Sequence, residues 1–127
     1  MALRVIPDEN QPSAAIEIPL EKPLPDYDLL QLDQPTPRDV DGILVSQGFR
    51  DLVDDARGIL TDVLNGTGFE ITQLTGAICP GDDEVYRPGI WIVLKDHNTP
   101  PRSSLSSATT QRICSLATQF AKRLGLA

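Results

Sequence analysis

The stretch Val45-Ser46-Gln47-Gly48-Phe49-Arg50-Asp51-Leu52-Val53-Asp54-Asp55-Ala56-Arg57-Gly58-Ile59-Leu60-Thr61-Asp62-Val63-Leu64 decides how the chain is read. Its apolar residues recur at Val45, Phe49, Leu52, Ala56, Ile59 and Val63, in steps of four, three, four, three and four. That is one side of an amphipathic helix, with Arg50, Asp51, Asp54, Asp55, Arg57 and Asp62 mostly on the other. Upstream, Thr36-Pro37-Arg38-Asp39 has the chemistry of a helix start: a capping hydroxyl, a proline at the first helical position and an acid near the positive end of the dipole. The spacing predicts a helix from about 37 to 64. Gly42, Gly48 and Gly58 each cost it about 1 kcal/mol relative to alanine, which favours a break near Gln47-Gly48. Asn65-Gly66 ends it.

Beyond Gly68 the period shortens to two. Phe69 and Ile71 alternate with Glu70 and Thr72, so residues 68–78 read as a strand in which Gly76 marks a candidate bulge. Cys79-Pro80-Gly81-Asp82-Asp83-Glu84 is a loop by composition. Gly89-Ile90-Trp91-Ile92-Val93-Leu94-Lys95 is apolar at every position from 90 to 94, the pattern of a strand buried on both faces. Asp96 to Arg102, with its paired prolines, ends that strand. A second helix then runs to about 124, capped by one of the serines at 103–107, with Ile113, Leu116, Ala117, Phe120 and Leu124 at helical spacing. Lys122 and Arg123 suit its last turn, and Gly125 stops it. The expected body is α+β: two helices packed on a small antiparallel sheet in the order α-β-β-α, spanning residues 36–127.

Residues 1–35 hold six of the eleven prolines, at 7, 12, 19, 23, 25 and 35, and read as an extended proline-rich arm. The arm is beaded with Ile16, Ile18, Leu20, Leu24, Tyr27, Leu29, Leu30 and Leu32, which a solvating linker lacks. These eight are the candidate partner-binding residues. The alternation around Ala14 to Leu20 suits a strand added to a sheet edge, whether the chain's own or a partner's. On the arm reading, deleting residues 2–34 abolishes assembly and leaves a folded monomer.

The net charge of −7 is unevenly placed. Residues 1–65 carry thirteen acids against five bases (−8), and residues 66–127 carry five against six (+1). This balance argues against a surface that neutralises nucleic-acid phosphates and against attraction to anionic lipid. Two cysteines, Cys79 and Cys114, without paired spacing read as reduced thiols in a cytosolic-type compartment, one bridge between them being the alternative. Pro7 interrupts any apolar signal core, and no apolar run approaches a membrane span. The expectation is a soluble cytoplasmic protein, or part of a particle assembled in the cytoplasm.

The chemistry-bearing residues are few. His97, the sole histidine, follows the apolar strand in Lys95-Asp96-His97-Asn98, where a general base with Asp96 and the thiol of Cys79 or Cys114 is conceivable, although no local signature surrounds either cysteine. Asp82, Asp83 and Glu84 lack the alternation of a calcium loop. Asn65-Gly66-Thr67-Gly68 leads from helix to strand, the reverse of a phosphate-cradling loop. Arg102 with its following serines is explained by capping. No cofactor, metal or small-molecule substrate is expected. The leading reading is a non-catalytic structural or adaptor subunit that docks other protein subunits, copies of itself included, through the arm. A virion head, neck or tail component is one such assembly. The alternatives are a small enzyme or ligand-binding protein with a site near His97, Asp96 and Cys79, and an acidic regulator occupying a basic partner surface.

Overall fold

The structure, a computed structural model, describes residues 3–21, 27 and 42–126. Over these residues the fold is α+β, with a four-stranded antiparallel sheet and three helices. In chain order the elements are β1 (Arg4–Pro7), β2 (Ser13–Pro19), α1 (helical at the described residues 42–44), α2 (Gln47–Val63), β3 (Phe69–Pro80), β4 (Tyr86–Asp96) and α3 (Ser107–Leu124). The strands lie in the sheet order β1-β2-β4-β3.

The N-terminal segment corrects the expected order and the expected boundary at residue 35. Residues 4–19 form a hairpin, and β2 sits inside the sheet, bonded to β1 on one side and to β4 on the other. Its register sets Ile16 opposite Ile92 and Ile18 opposite Ile90. Two of the prolines that argued for an arm, Pro7 and Pro19, stand where the ladder needs no donor from them. Pro7 ends an edge strand, and Pro19 lies beyond the start of β1 at Arg4, so its missing N–H faces no acceptor among the described residues.

Of the eight candidate docking residues, Ile16, Ile18 and Leu20 are fully buried in the protein's own core. Each such burial contributes about 1.5–3 kcal/mol and leaves no surface to offer a partner. Tyr27 is partly buried against the same core, and its hydroxyl donates to Asp55 Oδ2 at 2.6 Å. Leu24, Leu29, Leu30 and Leu32, together with the predicted helix start at Thr36 to Asp39, lie outside the described residues.

The core occupies one side of the sheet. Ala14, Ile16 and Ile18 of β2, Ile90, Ile92 and Leu94 of β4 and Leu74 of β3 are all buried and share that side by register. Phe49, Leu52, Ala56 and Leu60 of α2 pack against them, as do Ile113, Ala117, Phe120 and Leu124 of α3. α2 lies on β3, while α3 lies on β1 and β2 and also touches α2, to which Arg123 is bridged through Asp62 at 2.6 Å. Val45 is not part of the stripe. Ser46 caps α2 by accepting the Phe49 N–H, so the helix begins after Val45, which is 65% exposed. At the far end of α3, Gly125 adopts the left-handed conformation at φ 91°, as its position predicts.

The bulge of β3 falls between Ile71 and Gln73 rather than at Gly76, with the Thr72 hydroxyl donating to Val93 O at 3.1 Å. Gly76 has a different reason to be glycine. A β-carbon there runs into the Phe49 ring, so the close approach of α2 to β3 depends on its absence.

Candidate functional site: the uncovered side of the sheet

β4 is not buried on both faces. Ile90, Ile92 and Leu94 point to the core, whereas Trp91 and Val93 are only half-buried on the opposite side. Strand register makes that side a grid. One row runs Arg4, Glu17, Trp91, Thr75 and the next Ile6, Ala15, Val93, Gln73, with Ser13, Lys95 and Glu70 beyond. Among the described residues no helix or strand lies over it. Ile6 is 40% exposed, and a shallow depression of about 460 Å³ opens between the β1–β2 turn and the rings and methyls of Trp91, Val93, Ala15 and Ile6. A small apolar surface of this kind on a sheet is half of a layered packing.

Charge gathers at the two ends of the grid. At the β1–β2 turn stand Asp8, Glu9 and Glu70 with Lys95. Toward the β3–β4 hairpin stand Arg4 and Glu17 beside Trp91, then Glu21, Asp82, Asp83 and Glu84 with Arg87 at the turn itself. Eight carboxylates thus face three cations. Arg4 meets Glu17 at 3.6 Å, and Arg87 holds Asp83 at 2.7 Å. The Val85 backbone N–H, followed by Arg87, keeps the Asp83 carboxyl below the usual carboxylate range. Glu17 Oε2, apart from its 3.6 Å ion pair with Arg4, and Arg87 Nε are shielded and make no hydrogen bond.

Of the residues singled out for catalysis, Cys79 is not brought to Asp96 and His97. Cys79 pairs with Arg87 at one end of β4, while Asp96 and His97 lie at the other end, ten residues further along. At ~3.3 Å per residue the separation is roughly 30 Å. Asp96 is buried and serves the turn, its oxygens accepting from the Asn98 N–H at 3.0 Å and the Thr99 hydroxyl at 2.6 Å. The His97 ring meets Glu70 at 2.9 Å across an exposed surface, a contact of small energetic weight. Among the described residues no group of three or more His, Cys, Asp or Glu is placed to hold a metal ion. No helix among them is long and apolar enough to cross a membrane.

Both cysteines are free, Cys79 buried and Cys114 exposed. Burial, reinforced by the charge of Glu17 and opposed by a backbone hydrogen bond from Ile18, pushes the Cys79 thiol from 9.0 up to about 11. A thiol held protonated is a poor nucleophile. A chromogenic disulfide reagent at pH 8 is therefore expected to titrate one thiol in the native protein and the second only after unfolding. The same shift has a sign for stability. The unfolded chain releases this proton near pH 9 and the folded chain only near 11, so this group's contribution, roughly 2–3 kcal/mol, is complete below pH 9 and is lost as pH rises to about 11. Thermal melts across that window should show the decline in the wild type and a smaller one in Cys79→Val.

Sequence reading missed this surface because it treated 90–94 as evenly buried. The available signal was in β2, where Ser13, Ala15 and Glu17 alternate with aliphatics and mark one side of the sheet as different. Comparison of the chain with protein-family models, with curated proteins and with solved structures returns no match.

Proposed function

We propose that the protein is a non-catalytic docking subunit of a larger protein assembly and that it binds its neighbour through the uncovered side of the sheet. The observation that carries this reading is the half-buried Trp91–Val93–Ala15–Ile6 surface, over which no described element lies. The occupant is a protein surface bearing an apolar knob ringed by Lys and Arg. The knob matches the depression, and the basic ring matches the excess of carboxylates at both ends of the grid. A second copy of this chain is a poor occupant of that face, because it would set the same acids against each other. The expected acidic regulator and the expected adaptor thereby become one reading, with the docking surface moved from the arm to the sheet. The enzymatic alternative near His97 draws no support from geometry, since Cys79 stands at the opposite end of β4.

The test uses the sole tryptophan and two apolar positions of the same surface, Ile6 and Val93. Tagged protein purified from its source cells should retain a partner that Ile6→Glu with Val93→Glu loses by about tenfold or more, with an unchanged thermal midpoint. Added salt should weaken retention, and Trp91 emission should shift to the blue when the purified partner is added back. Equal retention by the double variant overturns the reading, as does a wild-type chain that retains nothing.

A further inference from the structure

The two edges of the sheet are not alike. β1 is four residues long, carries Arg4 and ends at Pro7, the usual devices by which an edge is blunted. β3 is twelve residues long and its only charged residue is Glu70. Its bonding direction can be read from its neighbours. Gly81 N–H donates to Val85 O across the hairpin, so odd-numbered residues of β3 after the bulge bond to β4. The N–H and C=O groups of Leu74, Gly76 and Ile78 consequently point outward. Arg57 Nη2 donates to Leu74 O at 3.2 Å, which confirms the direction and uses one of that oxygen's two lone pairs. Among the described residues no strand meets the rest.

The flank of α2 beside this edge is self-complementary. Arg50 and Asp54 lie one turn apart and, with Leu44, Phe49, Val53 and Leu74, line a groove of about 280 Å³ over Gly76. A two-fold axis through Gly76 would pair Leu74 with Ile78 of the partner subunit and Ile78 with the partner subunit's Leu74. The same axis runs the two α2 helices antiparallel and sets Arg50 against the partner subunit's Asp54 twice. An isologous contact requires this reciprocity, and a foreign strand would not require it. The axis also covers apolar groups left unburied, Val53 and the 46% exposed Ile78 among them.

We propose that two copies of the chain join edge to edge through β3, residues 74–78 pairing antiparallel about Gly76 to make one eight-stranded sheet, with reciprocal Arg50–Asp54 bridges between the α2 helices. This contact is independent of the uncovered sheet side, which remains free on both copies. Light scattering on full-length protein at rising concentration should give a mass of twice 13.8 kDa. Hydrogen exchange should show the Gly76 and Ile78 amides slowing with concentration. Asp54→Arg should raise the dissociation constant by about tenfold or more, and combining it with Arg50→Asp should restore dimerisation. Circular dichroism on each variant keeps loss of fold apart from loss of contact. A wild type that stays monomeric overturns the proposal. So does a dimer in which those two amides exchange freely, or a charge swap that restores nothing. A dimer that Ile6→Glu with Val93→Glu dissociates while Asp54→Arg leaves it intact also overturns it, and assigns self-association to the other face.

Discussion

Deletion of residues 2–20 is expected to leave no folded protein. The segment supplies β1 and β2, and β2 is an inner strand whose Ile16 and Ile18 are sealed between β4 and the helix layer. Without it, the β4 groups that Leu20 and Pro12 now meet, Pro88 O and the Asp96 N–H, become an edge. The parts of α3 that pack on β1 and β2 lose their floor. Four fully buried or nearly buried apolar side chains go at once (Ala14, Ile16, Ile18 and Leu20). At about 1.5–3 kcal/mol for each of the larger three, the loss is about 4.5–9 kcal/mol, comparable with the lower half of the ~5–15 kcal/mol by which small domains are stable. The measurement is a thermal melt with a proton NMR spectrum: collapsed dispersion and no cooperative transition are expected. A well-dispersed monomer would restore the reading of this segment as a detachable arm.

Gly89→Ala is expected to be the most damaging single methyl in the sheet. A β-carbon at 89 would stand 2.5 Å from Ile18 O, 2.9 Å from Pro19 Cα and 3.0 Å from Cys79 Sγ. Two of those three atoms are backbone of β2, which is held in register along its whole length and does not yield as a side-chain tip would. The expected cost is at or above the upper end of the ~1–3 kcal/mol typical of overpacking. Gly58→Ala supplies the contrast, because Gly58 lies in α2 with nothing within 4 Å of the added carbon. That change should stabilise by about 0.5–1 kcal/mol. Denaturant midpoints for the two variants should move in opposite directions. Equal shifts would mean that β2 is not seated on β4 at Gly89.

α2, α3 and both C-terminal strands were legible because each carries its own evidence. α2 and α3 show an apolar stripe at helical spacing, and α3 adds a serine cap and a terminal glycine. β2 was legible as a strand from the alternation of Ala14 to Leu20, but β1 and the place of β2 inside the sheet were not, since prolines at 7, 12 and 19 argue locally against pairing on both sides. Whether a proline is tolerated depends on which neighbour its nitrogen faces, and that is set by strand order, which no local pattern encodes. The bulge was misplaced for a related reason. Gly76 looks like a backbone irregularity until the Phe49 ring is set above it, and the actual irregularity sits at a β-branched threonine. The uncovered sheet side escaped notice because Trp91 and Val93 are as apolar as their buried neighbours, so only topology separates the two faces.

The seating of β2 beside β4 also bears on biosynthesis. Ile16 and its partner Ile92 are 76 residues apart, so β2 can fold back on β1 early, but its other edge has no neighbour until β4 has been translated. At ~5–20 residues per second that interval is roughly 4–15 s, during which the β1–β2 hairpin carries an open inner edge that a chaperone can cover.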